Sequence, residues 1–198
     1  MPGQDPDKMK TLEVLSKLKE GNQRFVENQL KNVQVDQTIK TELVKGQSPH
    51  AIILSCADSR VVPELIFNAG MDELFVVRVA GNMANTSSLA SMEFAVAYLG
   101  TQVIVVLGHQ NCGAVTAAVQ GGDNGPNLNH LLGHIKPAIE QSSDPSSVDE
   151  VIRKNVELTV RTISKDSEII DKAVDEGKVK IVPAYYHLDS GKVEFLNG

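Results

Sequence analysis

Apolar residues recur at helical spacing from Thr11 to Asn28, where Leu12, Leu15, Leu18, Phe25 and Val26 share one face. A second, shorter helix is predicted over Thr38–Lys45, with Gly46 to end it. The period then changes. Ala51–Ser55, Glu73–Val79 and Val103–Leu107 are short, rich in β-branched residues and almost continuously apolar, as strands buried on both faces of a parallel sheet are. Ser87–Tyr98, small and apolar, reads as the helix between the second and third strands, closed by Gly100. A long helical stretch around Val148–Ala173 precedes a fourth strand, Val179–Ala184. Lys192–Leu196 alternates like an edge strand after the turn Asp189-Ser190-Gly191. Strand, helix, strand, helix, strand predicts an α/β fold with right-handed crossovers: a mainly parallel sheet of four to five strands flanked by helices. No repeat or linker interrupts it, so residues 1–198 are read as one domain, with 121–126 a loop and 1–9 a flexible, polar lead. The stripe on the first helix exceeds what a small domain covers, which predicts an N-terminal arm packed on a second copy of the chain.

In an open parallel sheet, sites gather beyond the carboxyl ends of the strands. Cys56 follows the first strand directly, and Gly108-His109-Gln110-Asn111-Cys112 follows the third. Both clusters are therefore expected at one sheet edge. Cys56 and Cys112 are the only cysteines, which excludes a disulfide framework. A single disulfide, a reduced catalytic or metal-binding pair, and a plain buried pair all remain open on count alone. Two thiolates and one imidazole suit Zn²⁺, and three protein ligands leave a fourth position open, as catalytic zinc sites do. That position would go to water, substrate or Asp58. Zinc lowers the pKa of a bound water from about 15.7 toward about 7. Asp58, two residues from a ligand, is placed to accept a hydrogen bond from such a water, and Arg60 to grip Asp58 in a bidentate pair that keeps it ionised and off the metal.

Composition narrows the classes. Apolar residues make up 41% and charged residues 22% of 198, ordinary globular usage. A net charge of −6 with no basic run gives no reason to expect nucleic-acid binding. No apolar run is long enough to span a membrane, and the first residues show no signal-peptide core. A cytoplasmic location is the default expectation, although a chain whose leader had been removed would read the same.

The motifs Cys56-Ala57-Asp58-Ser59-Arg60 and His109-Gln110-Asn111-Cys112-Gly113, at this separation, resemble those of the β-class carbonic anhydrases. Gly46-Gln47-Ser48-Pro49, Phe75-Val76-Val77-Arg78 and Ala80-Gly81-Asn82 are similar too, and the resemblance covers residues 10 to 198. It implies zinc-dependent, reversible hydration of carbon dioxide to bicarbonate and a proton. It implies Cys56, His109 and Cys112 as ligands, Asp58 with Arg60 as the catalytic dyad, and Gln47, Phe75 and Gly113 as substrate-binding positions, Gln47 reaching across a dimer interface. It also implies a homodimer or dimer of dimers. Two positions depart from the family. Members shut off by a non-catalytic bicarbonate carry Trp-x-Gly before the first ligand, where this chain has Ile53 and Ser55, so a site open near neutral pH is expected. Others place a Tyr after the Ala-Gly-Asn stretch, where this chain reads Met83-Ala84-Asn85-Thr86.

Carbonyl sulfide or carbon disulfide hydrolysis on the same zinc, a non-catalytic zinc protein closed by Asp58, and a Cys nucleophile with His109 as base are the rival readings. His130 and His134, four apart on a helical stretch, read as a solvated face before a metal site. His50 and His187 are at ligand spacing with no Cys. Gly108 and Gly113 imitate half a phosphate loop without the Lys and Ser or Thr that complete one.

Overall fold

Alternation along the central strands builds a core on both sides of one sheet. In β1 (Ala51–Ser55), Ala51 and Ile53 point to one face, Ile52 and Leu54 to the other, and all four are fully buried. β3 (Val103–His109) repeats this with Val105 and Leu107 against Ile104 and Val106. Burying each Ile or Leu side chain is worth about 1.5–3 kcal/mol relative to exposure. The computed structural model describes residues 10–31 and 35–196. The flexible lead expected over 1–9 lies outside them.

The five strands run in the order β2-β1-β3-β4-β5, with β2 at Leu74–Arg78, β4 at Lys180–Tyr186 and β5 at Val193–Phe195. β1, β2, β3 and β4 are parallel, and β5 pairs antiparallel with β4 after a tight turn. This is the mainly parallel α/β sheet the sequence predicts. One reading needs correction: β2 is an edge strand, half-buried, with Arg78 exposed, because among the described residues only β1 pairs with it.

Helices α1 (Thr11–Val26) and α3 (Pro63–Ile66) flank one face, and α4 (Thr86–Leu99), α8 (Val148–Asp166) and α9 (Glu168–Asp175) cover the other. α2 (Gln37–Leu43) lies between α1 and β1. It stops short of Gly46, with Val44 rather than a left-handed glycine at its end. α5 (Gly113–Gln120), α6 (Pro126–Gly133) and α7 (Lys136–Gln141) follow β3. The stretch read as one helix around Val148–Ala173 is two. Ser167 takes an extended φ of −128°, its Oγ accepts from the Ile170 N–H at 3.2 Å and donates to Glu93 of α4 at 2.6 Å. The apolar repeat runs through this break, so periodicity alone hides it.

The stripe of α1 is covered largely within the chain. Val14, Leu15 and Leu18 are buried against the sheet and α3, and Leu12 alone among its named apolar residues stands well clear, 77% exposed. Two glycines permit close approaches. A Cβ on Gly21 would stand 1.9 Å from the Phe67 carbonyl oxygen, so α1 docks on the end of α3 only with glycine there. A Cβ on Gly108 would stand 2.5 Å from Val156 Cγ2, which lets α8 lie against the last turn of β3. Buried Asn22 ties α1 to both ends of the fold. Its amide donates to the Ile66 carbonyl at 3.1 Å and the Gly191 carbonyl at 2.8 Å, and it accepts from the Val193 N–H at 2.8 Å. Among the described residues no helix is long and apolar enough to cross a membrane.

Candidate metal centre

The parallel register sets Ser55 beside Arg78 of β2 and Leu107 of β3. β3 then continues two residues, so His109 belongs to the strand itself, opposite Tyr186 of β4. The turn at 110–112 returns Cys112 to the N-terminus of α5. Two elements distant in sequence thus deliver Cys56, His109 and Cys112 to one sheet edge, with their ligand atoms all within 4.8 Å of one another. All three are buried, at 4%, 0% and 1% exposure.

The polar accounting around these atoms tests whether a metal fits. His109 Nδ1 lies 2.9 Å from the Gln110 carbonyl oxygen. A carbonyl only accepts, so Nδ1 carries the proton and Nε2 the lone pair. Nε2 is fully buried and, among the described residues, has no hydrogen-bond partner. An orphaned buried acceptor facing two thiols is what a metal ligand looks like without its ion. The sulfurs are 4.0 Å apart. Cys56 Sγ accepts from the backbone N–H groups of Asp58 at 3.4 Å and Gly81 at 3.3 Å. Proton sharing with Cys112 pulls the Cys56 thiol far down, and these N–H groups add to it against the effect of burial. The same sharing, with burial, pushes Cys112 up, opposed by the N–H groups of Val115 and Ala114 in the first turn of α5. A cation in place of the shared proton would let both sulfurs ionise. The donor set therefore fits a soft or borderline divalent metal with one position free.

Asp58 stands beside this group but outside it. Its carboxylate receives Arg60 Nε at 2.9 Å and Nη2 at 2.7 Å, a two-point grip, and the Arg60 backbone N–H at 2.9 Å. Arg60 thereby holds the Asp58 carboxyl well below the usual range. Asp58 Oδ2 remains 3.9 Å from His109 Nε2. The Asp58 side chain is 16% exposed and that of Arg60 52%, so the pair marks the open side of an otherwise buried centre.

Three supports were not read from the sequence as positioning groups. Arg78 donates Nε to the Cys56 carbonyl at 3.2 Å and Nη2 to the Asp58 carbonyl at 2.7 Å, clamping the strand end from the neighbouring strand. Arg60 Nη2 also reaches the Asn111 carbonyl at 3.2 Å, joining the two motifs. Gly81, at φ +72°, presents its N–H to Cys56, and Asn155 of α8 donates to its carbonyl at 2.9 Å. The argument for Arg78 lay in its register opposite Ser55, which follows only once the pairing of β1 and β2 is known.

The other expected site residues are scattered. Gln47 is exposed and precedes β1, at the sheet edge opposite the cysteines. Phe75 pairs with Ile52 and packs half-buried on the core, three residues short of the Arg78 level. Gly113 opens α5 directly after Cys112, with open space where a Cβ would be. His130 on α6 and His134 at its C-terminal cap are exposed, with their rings edge to face, 5.1 Å apart.

Comparison with known proteins points one way. A family profile described as carbonic anhydrase matches residues 51–193. The chain is similar to carbonic anhydrase 2 of Mycobacterium tuberculosis, 36% identical over 181 residues that span 88% of this chain and 87% of that one. Among solved structures it is similar to a β-carbonic anhydrase of Coccomyxa, at 26% identity and a TM-score of 0.73, covering 92% of this chain and 86% of that one. Tetrameric β-carbonic anhydrases of Sordaria macrospora share its fold, with a TM-score of 0.74 at 24% identity over 82% of this chain and 88% of theirs.

Proposed function

The chain belongs to the β-carbonic anhydrase family, and on that premise we propose that it catalyses the reversible hydration of carbon dioxide at a zinc ion held by Cys56, His109 and Cys112. The observation that carries the reading is the buried, unpartnered His109 Nε2 facing two close thiols, with Asp58 drawn aside by Arg60. Zinc in such a three-ligand site supplies Lewis acidity that makes water a nucleophile near neutral pH.

The chain's own residues do the rest. Asp58, kept ionised by the Arg60 fork, accepts a hydrogen bond from the attacking water and aims its lone pair at the carbon. Arg60 fixes where that carboxylate points, and Arg78 fixes the loop that carries it. Because both Asp58 oxygens are engaged by Arg60, the carboxylate is not free to close the fourth position, which favours a working site over a closed one. Apolar side chains, Phe75 among them, suit a linear electrophile that offers little to bond. Gly113 leaves room for a small substrate beside Cys112.

Gln47 stands at the far edge of its own sheet, so a role on substrate requires a second subunit. We accordingly read the protein as a homodimer or dimer of dimers, in keeping with the Sordaria proteins described as tetrameric. One domain, 1–198, carries the function, since both ligand-bearing strands belong to one sheet. Two cysteines kept as thiolates suit a reducing compartment such as the cytoplasm.

Stopped-flow hydration of carbon dioxide by zinc-quantified protein from about pH 6.5 to 9, around the pKa of a zinc-activated water, tests this. Carbonyl sulfide hydrolysis is run beside it. Fast hydration that rises with pH through one ionisation is expected. Stoichiometric zinc with sulfide release but negligible hydration would reassign the substrate. Absence of zinc binding would overturn the reading.

A further inference from the structure

The tautomer of His109 depends on one carbonyl, and that carbonyl is held in part by a residue outside both motifs, Asp189. His109 Nδ1–H donates to the carbonyl of the next residue, Gln110, at 2.9 Å. Such a contact between adjacent residues exists only if the peptide plane after Gln110 keeps one orientation. Three anchors hold it. The Gln110 N–H donates to the Tyr186 carbonyl at 2.9 Å. Asn111 beyond it takes a left-handed φ of +54°, with its carbonyl engaged by Arg60. The Gln110 side chain makes a two-way pair with Asp189: Nε2 donates to Asp189 Oδ2 at 3.2 Å, and the Asp189 N–H donates to Gln110 Oε1 at 3.2 Å.

Asp189 in turn sits on an immobilised turn. The His187 N–H donates to the Lys192 carbonyl and the Gly191 N–H to the His187 carbonyl, each at 2.9 Å. Asn22 of α1 holds the Gly191 carbonyl. Gly191 has φ +74°, and a Cβ there would stand 2.9 Å from the Phe25 ring. The pair also needs its residue types. One terminal group must donate to a carboxylate and accept from a backbone N–H at once, which an amide does and neither Glu nor Lys can. The amide contact holds the Asp189 carboxyl below its usual range.

We propose that Gln110 and Asp189 are positioning residues for His109, their mutual hydrogen bonds fixing the carbonyl that keeps Nδ1 protonated and turns Nε2 toward the two thiols. The inference rests on the reading of Cys56, His109 and Cys112 as a metal site. It adds a support that reaches the ligand from the β4–β5 turn. Both side chains lie at the surface, so their pair contributes little to global stability. Ring orientation and stability are therefore separable by measurement.

The experiment compares wild type with Gln110→Ala, Asp189→Ala, Asp189→Asn, Gln110→Glu and the double variant Gln110→Glu/Asp189→Asn. It reads zinc affinity by chelator competition, the His109 tautomer in metal-free protein by long-range ¹H–¹⁵N spectra, and the thermal midpoint. Either alanine variant is expected to bind zinc about tenfold more weakly, as loss of a ligand's outer support does. Each should populate both tautomers, with the metal-free midpoint moved by no more than about 2 °C. Asp189→Asn keeps an acceptor oxygen and should stay near wild type. Gln110→Glu sets two carboxylates together and should bind most weakly, and adding Asp189→Asn should restore much of the loss. Alanine variants that keep wild-type affinity and a single Nδ1–H tautomer would overturn the inference. So would a fall in midpoint without any change of tautomer. Wild-type protein that shows the Nδ1–H tautomer yet binds no zinc would instead sink the metal reading, and the tautomers of the variants would still judge the positioning claim.

Discussion

Gly108→Ala puts the approach of α8 to β3, the strand that carries His109, to a quantitative test. The new methyl would stand 2.5 Å from Val156 Cγ2 and 3.2 Å from Ile152 Cγ2. Val156 is fully buried on a helix, where a β-branched side chain has one strongly preferred rotamer, so it cannot swing aside. Overpacking of this kind costs about 1–3 kcal/mol. Replacing a glycine at a φ open to alanine returns about 0.4–1 kcal/mol through the unfolded chain. The clash wins, and a net loss of about 1–2 kcal/mol is expected. Val156→Ala alone should cost about 2 kcal/mol, from two buried carbons and the space they leave. The double variant places the new methyl in that space, so it should be more stable than the sum of the two losses by about 1–2 kcal/mol. Urea unfolding of metal-free protein reads this without linkage to zinc, provided the m-value is unchanged. A Gly108→Ala protein as stable as wild type would refute the reasoning, as would single-variant losses that add within about 0.5 kcal/mol.

Arg60→Ala should lower carbon dioxide hydration by about a hundredfold while zinc stays near one per chain, because it frees Asp58 from its aim without touching a ligand. Arg60→Lys should recover only part, since a lysine lacks the fork; full activity in the lysine variant, or loss of zinc in the alanine variant, would contradict the positioning role. Asn111→Val forces a β-branched residue to φ +54° and should cost about 1–2 kcal/mol in urea unfolding, whereas Asn111→Gly should be nearly neutral. Equal stability of the two would remove the strain argument. Burial first, and then Lys17, lowers His50 from 6.5 to about 4. A folded-state pKa below the unfolded one means that the unfolded chain takes up the proton first. The stability from neutral His50 is thus fully present above pH 6.5 and is lost as the pH falls toward 4. His50→Gln should flatten this segment of the stability–pH curve, and identical slopes for variant and wild type would exclude His50 as its source.

The strands of the centre were legible because burial on both faces leaves an unmistakable run, as in Ile52-Ile53-Leu54 and Val103-Ile104-Val105-Val106. The meeting of Cys56, His109 and Cys112 was legible because strand ends in a parallel sheet converge, so Cys56 and His109 needed only neighbouring strands to meet. The pairing of Asp58 with Arg60 was legible from their two-residue spacing, and the observed two-point grip matches it. Other features depend on what lies across space. Leu74-Phe75-Val76-Val77 reads as a buried strand, yet strand order puts it at the edge. The break at Ser167 is made by a hydroxyl that caps one helix and reaches another, which no apolar period records. α3, α5, α6 and α7 are four to eight residues long, too short for a repeat to declare itself. Pro63, Pro126 and Pro137, each in a first helical turn, were the signals available for three of them. Gln110, Asp189 and Arg78 act through register and turn geometry, which the chain reveals only when folded.

The three hydrogen bonds of Asn22 also bear on how the chain is made. Synthesis delivers α1 before the partners of Asn22, which are Ile66, Gly191 and Val193, the last 171 residues downstream. Until the β4–β5 turn is formed, the amide is left partly unsatisfied and the seat for Phe25 is missing. α1 also carries Gly21 at its centre, which weakens it as a free helix by about 1 kcal/mol relative to alanine. Its docking is therefore completed only once residues 191–193 have been made. An unfinished or C-terminally clipped chain leaves α1 without its last anchors and the apolar surface beneath it open to chaperones and proteases. A turn made 171 residues later thus serves as the check that α1 has a fold to join.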